Sequence, residues 1–413
     1  MSDVIIDWNN IYLESVRKIG GAPCPIARAG AMMHLAMYEV VNTIRPTAQP
    51  YLSGLPTPDP NTSIEAAAIY AAHTVLCSVY PSIVNFLNDA LKASLKDVTA
   101  PESDILSGKE FGEAVGNLVI QDRAGDGSAA KMSYSPGNEP GDWRPTGSGD
   151  ALTPEWPNVK PFVILAKDQF RPPLPGGYLK KRDLLKSAEY AAQFNDVKRL
   201  GSANSATRTS EQRQIAFFWA NDLDGTYKPP GHLFRLTQIV ALQRNQSLAE
   251  KARLFALVGL ALADAGVVAW DAKYSTEIDL WRPESAIRLA DTDDNLLTQK
   301  DAAWEPLSVN PAGKRFSPPF PAYVSGHATF GAAHAGIMRN FFKTDNVSFE
   351  LDTDDPSVVG VKRAFNSFSS AALENGRSRV YLGVHFQWDA DHGYISGTNL
   401  ADYVFANRLQ ELP

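Results

Sequence analysis

The chain has 413 residues, 44% hydrophobic and 21% charged, enough to bury a large core without covalent or metal staples. Its net charge is −7 and it has no basic run of useful length, which excludes a nucleic-acid surface. The two cysteines, Cys24 and Cys77, lie in no Cys/His spacing, which argues against a structural zinc site; their number excludes a disulfide framework and leaves one bridge open, and two buried free thiols are expected.

In chain order, the N-terminal MSDVIIDWNNIYLESV has no basic region ahead of an apolar one. No signal peptide is read there, and a cytoplasmic location is expected. Ile26, Ala29, Met33, Met37 and Val40 recur at helical spacing. Thr62 and Glu65 form a capping-box pattern ahead of an alanine-rich helix ending at Val79. A helix is expected over 103–123. Residues 129–185 break the pattern with nine prolines and many glycines, yet their aromatics (Tyr134, Trp143, Trp156, Phe162, Phe170) predict a loop packed onto helices.

Helices then fit 209–221 and 232–245. Ser247 and Glu250 cap the apolar stretch Leu254–Trp270, which is short for a membrane span and contains Asp264; it reads as a buried core helix. A second Pro-rich loop covers 301–321, and helices fit 322–341, 357–378 and 387–407. With period-two runs scarce, the fold is predicted to be all-α, built of helical bundles with long Pro-rich loops. The organisation expected is one domain over 1–413: a helical scaffold (1–128), the packed loop (129–185) and a bundle carrying the site (186–413).

Five of the seven histidines lie beyond residue 231, and three segments there combine cations, hydroxyls and histidines. In the first, Trp270 and Lys273 precede Trp281-Arg282-Pro283. In the second, Pro318-Pro-Phe320-Pro-Ala-Tyr-Val-Ser325-Gly326-His327 runs into a helical pattern. Ser325 and the Gly326 amide are then at a helix N-terminus, where free N–H groups and the dipole favour an anion. In the third, Ser378-Arg379 is followed by Gly383, His385 and Asp389. A carboxylate one helical turn on can orient the imidazole.

Singly, each has a bland reading: solvated cations, a serine N-cap, a capping histidine. Together they make a cradle for a tetrahedral or trigonal-bipyramidal oxyanion. The pairs His327/His334 and His385/His392 are seven apart, about 10.5 Å along a helix. Neither can chelate one ion, and His334 and His392 read as structural. Ser325 lacks the G-x-S-x-G elbow of serine hydrolases.

The combination resembles the vanadium-dependent haloperoxidases and their relatives, the class A acid phosphatases and other PAP2-type phosphatases. The shared signature is Lys, Arg-Pro, Ser-Gly-His, then Ser-Arg with Gly and His following. Lys273 precedes Arg282 by nine positions, a slightly longer gap than is usual in the family. Met33–Asn42, Gly141–Pro145, Asp168–Pro173 and Phe218–Asp222 also look like bacterial haloperoxidases, so the likeness covers most of the chain.

The resemblance implies vanadate as cofactor, with His385 as its axial ligand. Lys273, Arg282, Ser325, Gly326 and Arg379 would bind its oxygens, Lys273 also polarising peroxide. His327 would act as acid–base, and Trp270 and Phe320 would line a halide pocket. Asp222 resembles an aspartate that pairs with the second arginine, with Asp224 close enough to compete. Hydrogen peroxide, halide and a small organic acceptor are the implied partners, without nucleic acid or membrane, and with the oligomeric state open. The alternative is a phosphatase at the same site, with His385 as nucleophile and His327 as leaving-group acid.

Overall fold

The computed structural model describes residues 3–147, 149–310 and 312–413. Met1, Ser2, Ser148 and Pro311 lie outside the described residues, and with them parts of the N-terminal stretch and of the two Pro-rich loops. Among the described residues 57% are helical and 4% are in strands.

Five helices build the N-terminal half: α1 (Val4–Ile19), α2 (Pro23–Ile44), α3 (Ile64–Val79), α4 (Val84–Lys96) and α5 (Glu102–Asp122). The Pro-rich stretch follows and ends in α6 (Lys181–Leu185), α7 (Ala188–Gly201) and α8 (Ser210–Phe218). The site-bearing part adds α9 (Lys228–Gln243), α10 (Leu248–Tyr274), α11 (Pro283–Arg288), α12 (Gly326–Phe342), α13 (Phe368–Tyr381) and α14 (Gln387–Asn407). Strands β1 (Phe349–Asp352) and β2 (Lys362–Phe365) pair antiparallel, Phe349 opposite Phe365.

Helix α10 joins the two halves. It packs on α2, which leans on α3 and through it on α5; on its other side it meets α12, which packs on α13 and α14. One hydrophobic core runs from Val4 to Leu409. Burying α10 on all sides requires Asp264 to be satisfied, and it is: its carboxylate accepts the N–H groups of Phe162 (2.7 Å), Val163 (2.7 Å) and Ile164 (2.9 Å). A buried carboxylate thereby staples the Pro-rich loop to the core helix. Trp143, Trp156 and Phe162 of that loop are buried as expected, while Tyr134 and Phe170 are half-buried.

Several boundaries differ from expectation for local reasons. The α3 cap is Ser63 rather than Thr62; its side chain accepts from Ala66 N, one residue closer to the first turn. Helix α8 stops at Phe218, and Asn221 takes a left-handed conformation (φ 43°), so 220–227 is a loop. Helix α9 begins earlier because Pro229 and Pro230 occupy its first turn, where a missing N–H costs nothing. Residues 356–365 are not helical: Pro356, Gly360 (φ 75°) and pairing with β1 turn them into a 3₁₀ turn and a strand. The Leu254–Trp270 segment extends to Leu248–Tyr274, with the expected Ser247/Glu250 capping box. Both cysteines are free, but only Cys24 is buried; Cys77 is half-buried beside His73, because its face of α3 is only partly covered.

Candidate active site

Four loops deliver the polar residues to one place. Arg282 is the N-cap position of α11, held extended (φ −73°, ψ 155°) ahead of Pro283. Its guanidinium is fully buried. Nε donates to Phe320 O (2.8 Å), and NH1 donates to Val384 O (2.7 Å) and to His385 Nε2 (2.9 Å). Ser325 caps α12: Oγ accepts from Ala328 N (3.3 Å), and its own N–H donates to Asp389 O (2.9 Å). The hydroxyl proton is left to donate elsewhere.

Arg379 closes α13. NH2 donates to Asp222 Oδ2 at 2.7 Å, whereas Asp224 pairs with Lys228 at 2.7 Å. Asp222 is therefore the partner of Arg379, and Asp224 is not. Gly383 makes the turn from α13 to α14. Its φ of 83° is left-handed, and a Cβ there would overlap the Gly201 carbonyl oxygen, so glycine is required on two counts.

His385 leaves that turn with its tautomer determined. A guanidinium only donates, so Nε2 must accept from Arg282 and carry the lone pair. The proton is then on Nδ1, which donates to Asp389 Oδ2 at 2.9 Å. The same oxygen accepts Phe386 N–H (3.0 Å), anchoring the carboxylate to the first turn of α14. His327 is fixed the opposite way: Nε2–H donates to Ala220 O (3.0 Å), Asp222 Oδ1 lies 3.8 Å off, and Nδ1 keeps its lone pair.

The electrostatics follow from burial among cations. Desolvation, then Arg282, Lys273 and Arg379, hold the His385 imidazole well below its usual value. Burial, then Arg379, brings His327 to about 4. Burial lowers Arg282 to about 9. Burial pushes the Asp222 carboxyl upward, but Arg379, His327 and Lys228 outweigh it and hold the group below the ordinary range. Burial also raises Asp389 to about 7, against the pull of Lys273. Both histidines are thus neutral in the open site.

A cavity of about 280 Å³ opens onto these groups. Gly326, His327, Arg379, His385 and Asp222 line it, with Trp270 and Phe320 beside them. The rings of Trp270 and Phe320 lie 5.0 Å apart, and the Trp270 indole packs on Gly326. Arg282 stands behind His385. Lys273 departs from its expected place: it is buried, and its ammonium donates to the carbonyls of Pro321 (2.8 Å), Ala322 (3.2 Å) and Val324. All three protons are used on the loop before Ser325. The ammonium thus lies under the loop rather than in the cavity wall.

His334 bonds Thr237 Oγ1 (2.9 Å) and His392 bonds the Tyr323 hydroxyl (2.7 Å), consistent with structural roles. Among the described residues no cluster of His, Cys, Asp and Glu could hold a metal ion. Sequence reasoning missed Lys228, whose ammonium donates to Asp222 O (2.8 Å) at the cavity rim. Its only signal was its place two residues after Gly225-Thr226, ahead of a Pro-Pro helix start, which carries no chemistry by itself.

Three guanidinium nitrogens (Arg282 NH2, Arg379 Nε and Arg379 NH1) are buried without an acceptor. Buried donors left unpaired are expensive, so the arrangement is built for an acceptor that the protein does not supply. Fold and site thus define a class: all-α proteins that hold an oxyanion between buried arginines and a histidine.

Residues 253–412 match the family model of the VCPO second helical-bundle domain. The chain is 27% identical to the vanadium chloroperoxidase of Curvularia inaequalis, over 94% of this chain and 79% of that protein. The crystal structure of the first bacterial vanadium-dependent iodoperoxidase superposes with a TM-score of 0.81 at 26% identity, covering 98% of this chain and 96% of that one. A holo-type bacterial vanadium-dependent chloroperoxidase shares the fold at TM-score 0.73 and 18% identity, over 94% and 93% of the two chains. Residues 253–412 thus carry the second helical-bundle domain of the VCPO family, and the chain as a whole is similar to vanadium-dependent haloperoxidases.

Proposed function

We infer that this protein oxidises halide with hydrogen peroxide, X⁻ + H₂O₂ + H⁺ → HOX + H₂O, using vanadate held in the cradle. The observation that carries the reading is the set of orphaned guanidinium donors, Arg282 NH2 and Arg379 Nε and NH1, in the arginine pair that surrounds His385, whose Nε2 lone pair is engaged by Arg282 NH1. An oxyanion would supply the missing acceptors, and His385 Nε2 would hold it. Arg282, Arg379, the Ser325 hydroxyl and the Gly326 N–H would hold the oxygens. Bound vanadate supplies a Lewis acid that activates peroxide.

The rest of the work falls to the chain. Asp389 keeps the Nδ1 proton on its own side, so that Nε2 stays available. Asp222 fixes the plane of Arg379 through NH2 and leaves Nε and NH1 for the ligand. His327, neutral and with Nε2–H tied to Ala220 O, presents Nδ1 as a base for a peroxide proton. Trp270 and Phe320 exclude water from the halide's approach with aromatic walls. Lys273 contributes charge from beneath and holds the loop that carries Ser325 and Gly326.

The test is addition of vanadate to apoprotein, with iodide and bromide oxidation as readouts and phosphate as a competitor of similar charge and shape. Activity appears with vanadate and falls with phosphate, while phosphate-ester hydrolysis stays at background. A requirement for haem, flavin or a divalent cation instead of vanadate sinks the reading. So does hydrolysis without peroxidase activity, which would restore the phosphatase.

A further inference from the structure

Two pairs of opposite charge border the cavity. Arg379 with Asp222 serves the oxyanion; the other, Lys228 with Asp224, has no role in oxyanion binding. Lys228 lines the cavity, yet only 7% of its side chain is exposed, and lysines are seldom so buried. Its ammonium donates to Asp222 O (2.8 Å) and to Asp224 Oδ1 (2.7 Å). Among the described residues no third acceptor meets it, so one ammonium proton is unspent.

The backbone is strained to put it there. Lys228 is left-handed (φ 59°), a conformation that costs energy for any residue with a Cβ. Glycine would carry it without strain, so a lysine held there at a cavity wall points to a use for its side chain. Its partner faces the other way. The Asp224 carboxylate accepts the Gly21 N–H of the α1–α2 turn and is 82% exposed. Water therefore screens the anion, while the ammonium borders a cavity otherwise walled by Leu152, Pro229, Phe316 and Phe330. The pair is formally neutral but presents positive potential inward.

A halide reaching this cavity meets a bound oxyanion of its own sign and needs a cation to offset the repulsion. The other cations are taken. Lys273 spends all three protons on the loop before Ser325, Arg282 stands behind His385, and Arg379 keeps its free nitrogens for the oxyanion. Neutral His327 offers only the Nδ1 lone pair. Resting on the haloperoxidase reading, we propose that Lys228 is the halide-binding residue: its unspent N–H holds the anion in the cavity for oxidation. A compact ammonium suits a spherical ion, whereas the planar fork of an arginine matches an oxyanion.

Crystals whose cradle holds vanadate, or phosphate as its mimic, are soaked in bromide and read by anomalous scattering. Bromide sits against Lys228 Nζ in the wild type and is gone in Lys228→Met. In the vanadate-loaded enzyme, Lys228→Met raises the KM for iodide and bromide roughly tenfold, the loss of one charge-assisted hydrogen bond. It moves the KM for peroxide and the affinity for vanadate far less. Asp224→Asn keeps an acceptor for the ammonium but removes the opposing charge, so it lowers the halide KM. It also covers the case that Lys228→Met does not fold. A loop clamp without a halide role gives the opposite sign, because weakening the pair then only loosens the segment that carries Asp222.

Absence of bromide at Lys228 in the wild type, a halide KM unchanged in Lys228→Met, or one raised in Asp224→Asn overturns the proposal. So does a loss of vanadate affinity larger than the change in halide KM, which would give Lys228 to the oxyanion. The haloperoxidase reading fails separately, if vanadate-loaded wild type makes no triiodide; the bromide site in phosphate-filled crystals does not depend on it.

Discussion

His385 is useful as a ligand because its two neighbours agree about its proton. Arg282 can only donate to Nε2, and Asp389 accepts from Nδ1. Asp389→Asn preserves size but removes the charge that favours this tautomer. Vanadate affinity, measured by equilibrium dialysis, should fall about 10–100-fold, the usual penalty for losing such a partner; an unchanged affinity would show that Asp389 only caps α14. Lys273 makes a different argument. An ammonium bonded to three carbonyls stabilises its loop, whereas an unpartnered buried cation would destabilise the fold. Lys273→Met should therefore lower apoprotein stability by about 1–3 kcal/mol. A rise in the apoprotein melting temperature would mean the cation was uncompensated and waiting for the oxyanion. At this scale the sequence was most informative: Arg282, Ser325, Gly326, His327, Arg379 and His385 were all identifiable by type and order, and the structure gathers them at one cavity or directly behind it. The use of Lys273 was not legible, because spacing along a chain says nothing about which carbonyls an ammonium will meet.

Elements decide how far apart those residues stand. Arg379 ends one helix and His385 precedes the next, so the turn at Gly383 sets their separation. Gly383→Ala combines a left-handed conformation, roughly 1–2 kcal/mol for a residue with a Cβ, with overlap on Gly201. The variant should lose vanadate binding out of proportion to its loss of helicity, read by dialysis and circular dichroism on the same sample. Equal retention of both would show that the α7 backbone moves aside at little cost. Caps of the Ser-x-x-Glu kind were readable from sequence because both partners are local, as at Ser247 and Glu250. The stretch 357–365 was misread as helical because its strand exists only through pairing with Phe349–Asp352, a partner that local periodicity does not see.

The whole molecule carries a pH signature from its interior. His34, His232, His327, His334 and His385 are buried and pushed down chiefly by desolvation: His34 and His334 to about 3, His232 and His327 to about 4, His385 well below its usual value. A depressed histidine gives stability that is complete above about pH 6.5 and is lost as pH falls toward its folded value, because the unfolded chain takes up the protons first. Carboxyls raised by burial act oppositely: Glu39 and Asp389 to about 7 and Asp264 to about 6, with Asp293, Asp354 and Asp355 also raised, and they favour the folded state as pH falls. Among the strongly shifted groups five histidines stand against three carboxyls, which leaves the histidines ahead. Acidifying apoprotein from pH 6.5 to 4 should lower stability by at most roughly 2–3 kcal/mol per pH unit. A melting temperature that rises over that range would show that the interior histidines are hydrated or paired.

By itself the sequence determined the helical character, the burial of the Leu254–Trp270 segment and the identity of the residues in the cradle. Periodicity, capping and residue chemistry are local properties, written in consecutive positions. Tertiary structure decided the pairing of Arg379 with Asp222 rather than Asp224, the diversion of Lys273 to loop carbonyls, and the apolar cavity beyond the oxyanion corner. Each depends on segments tens to hundreds of residues apart meeting in space, and on which donors burial leaves without an acceptor.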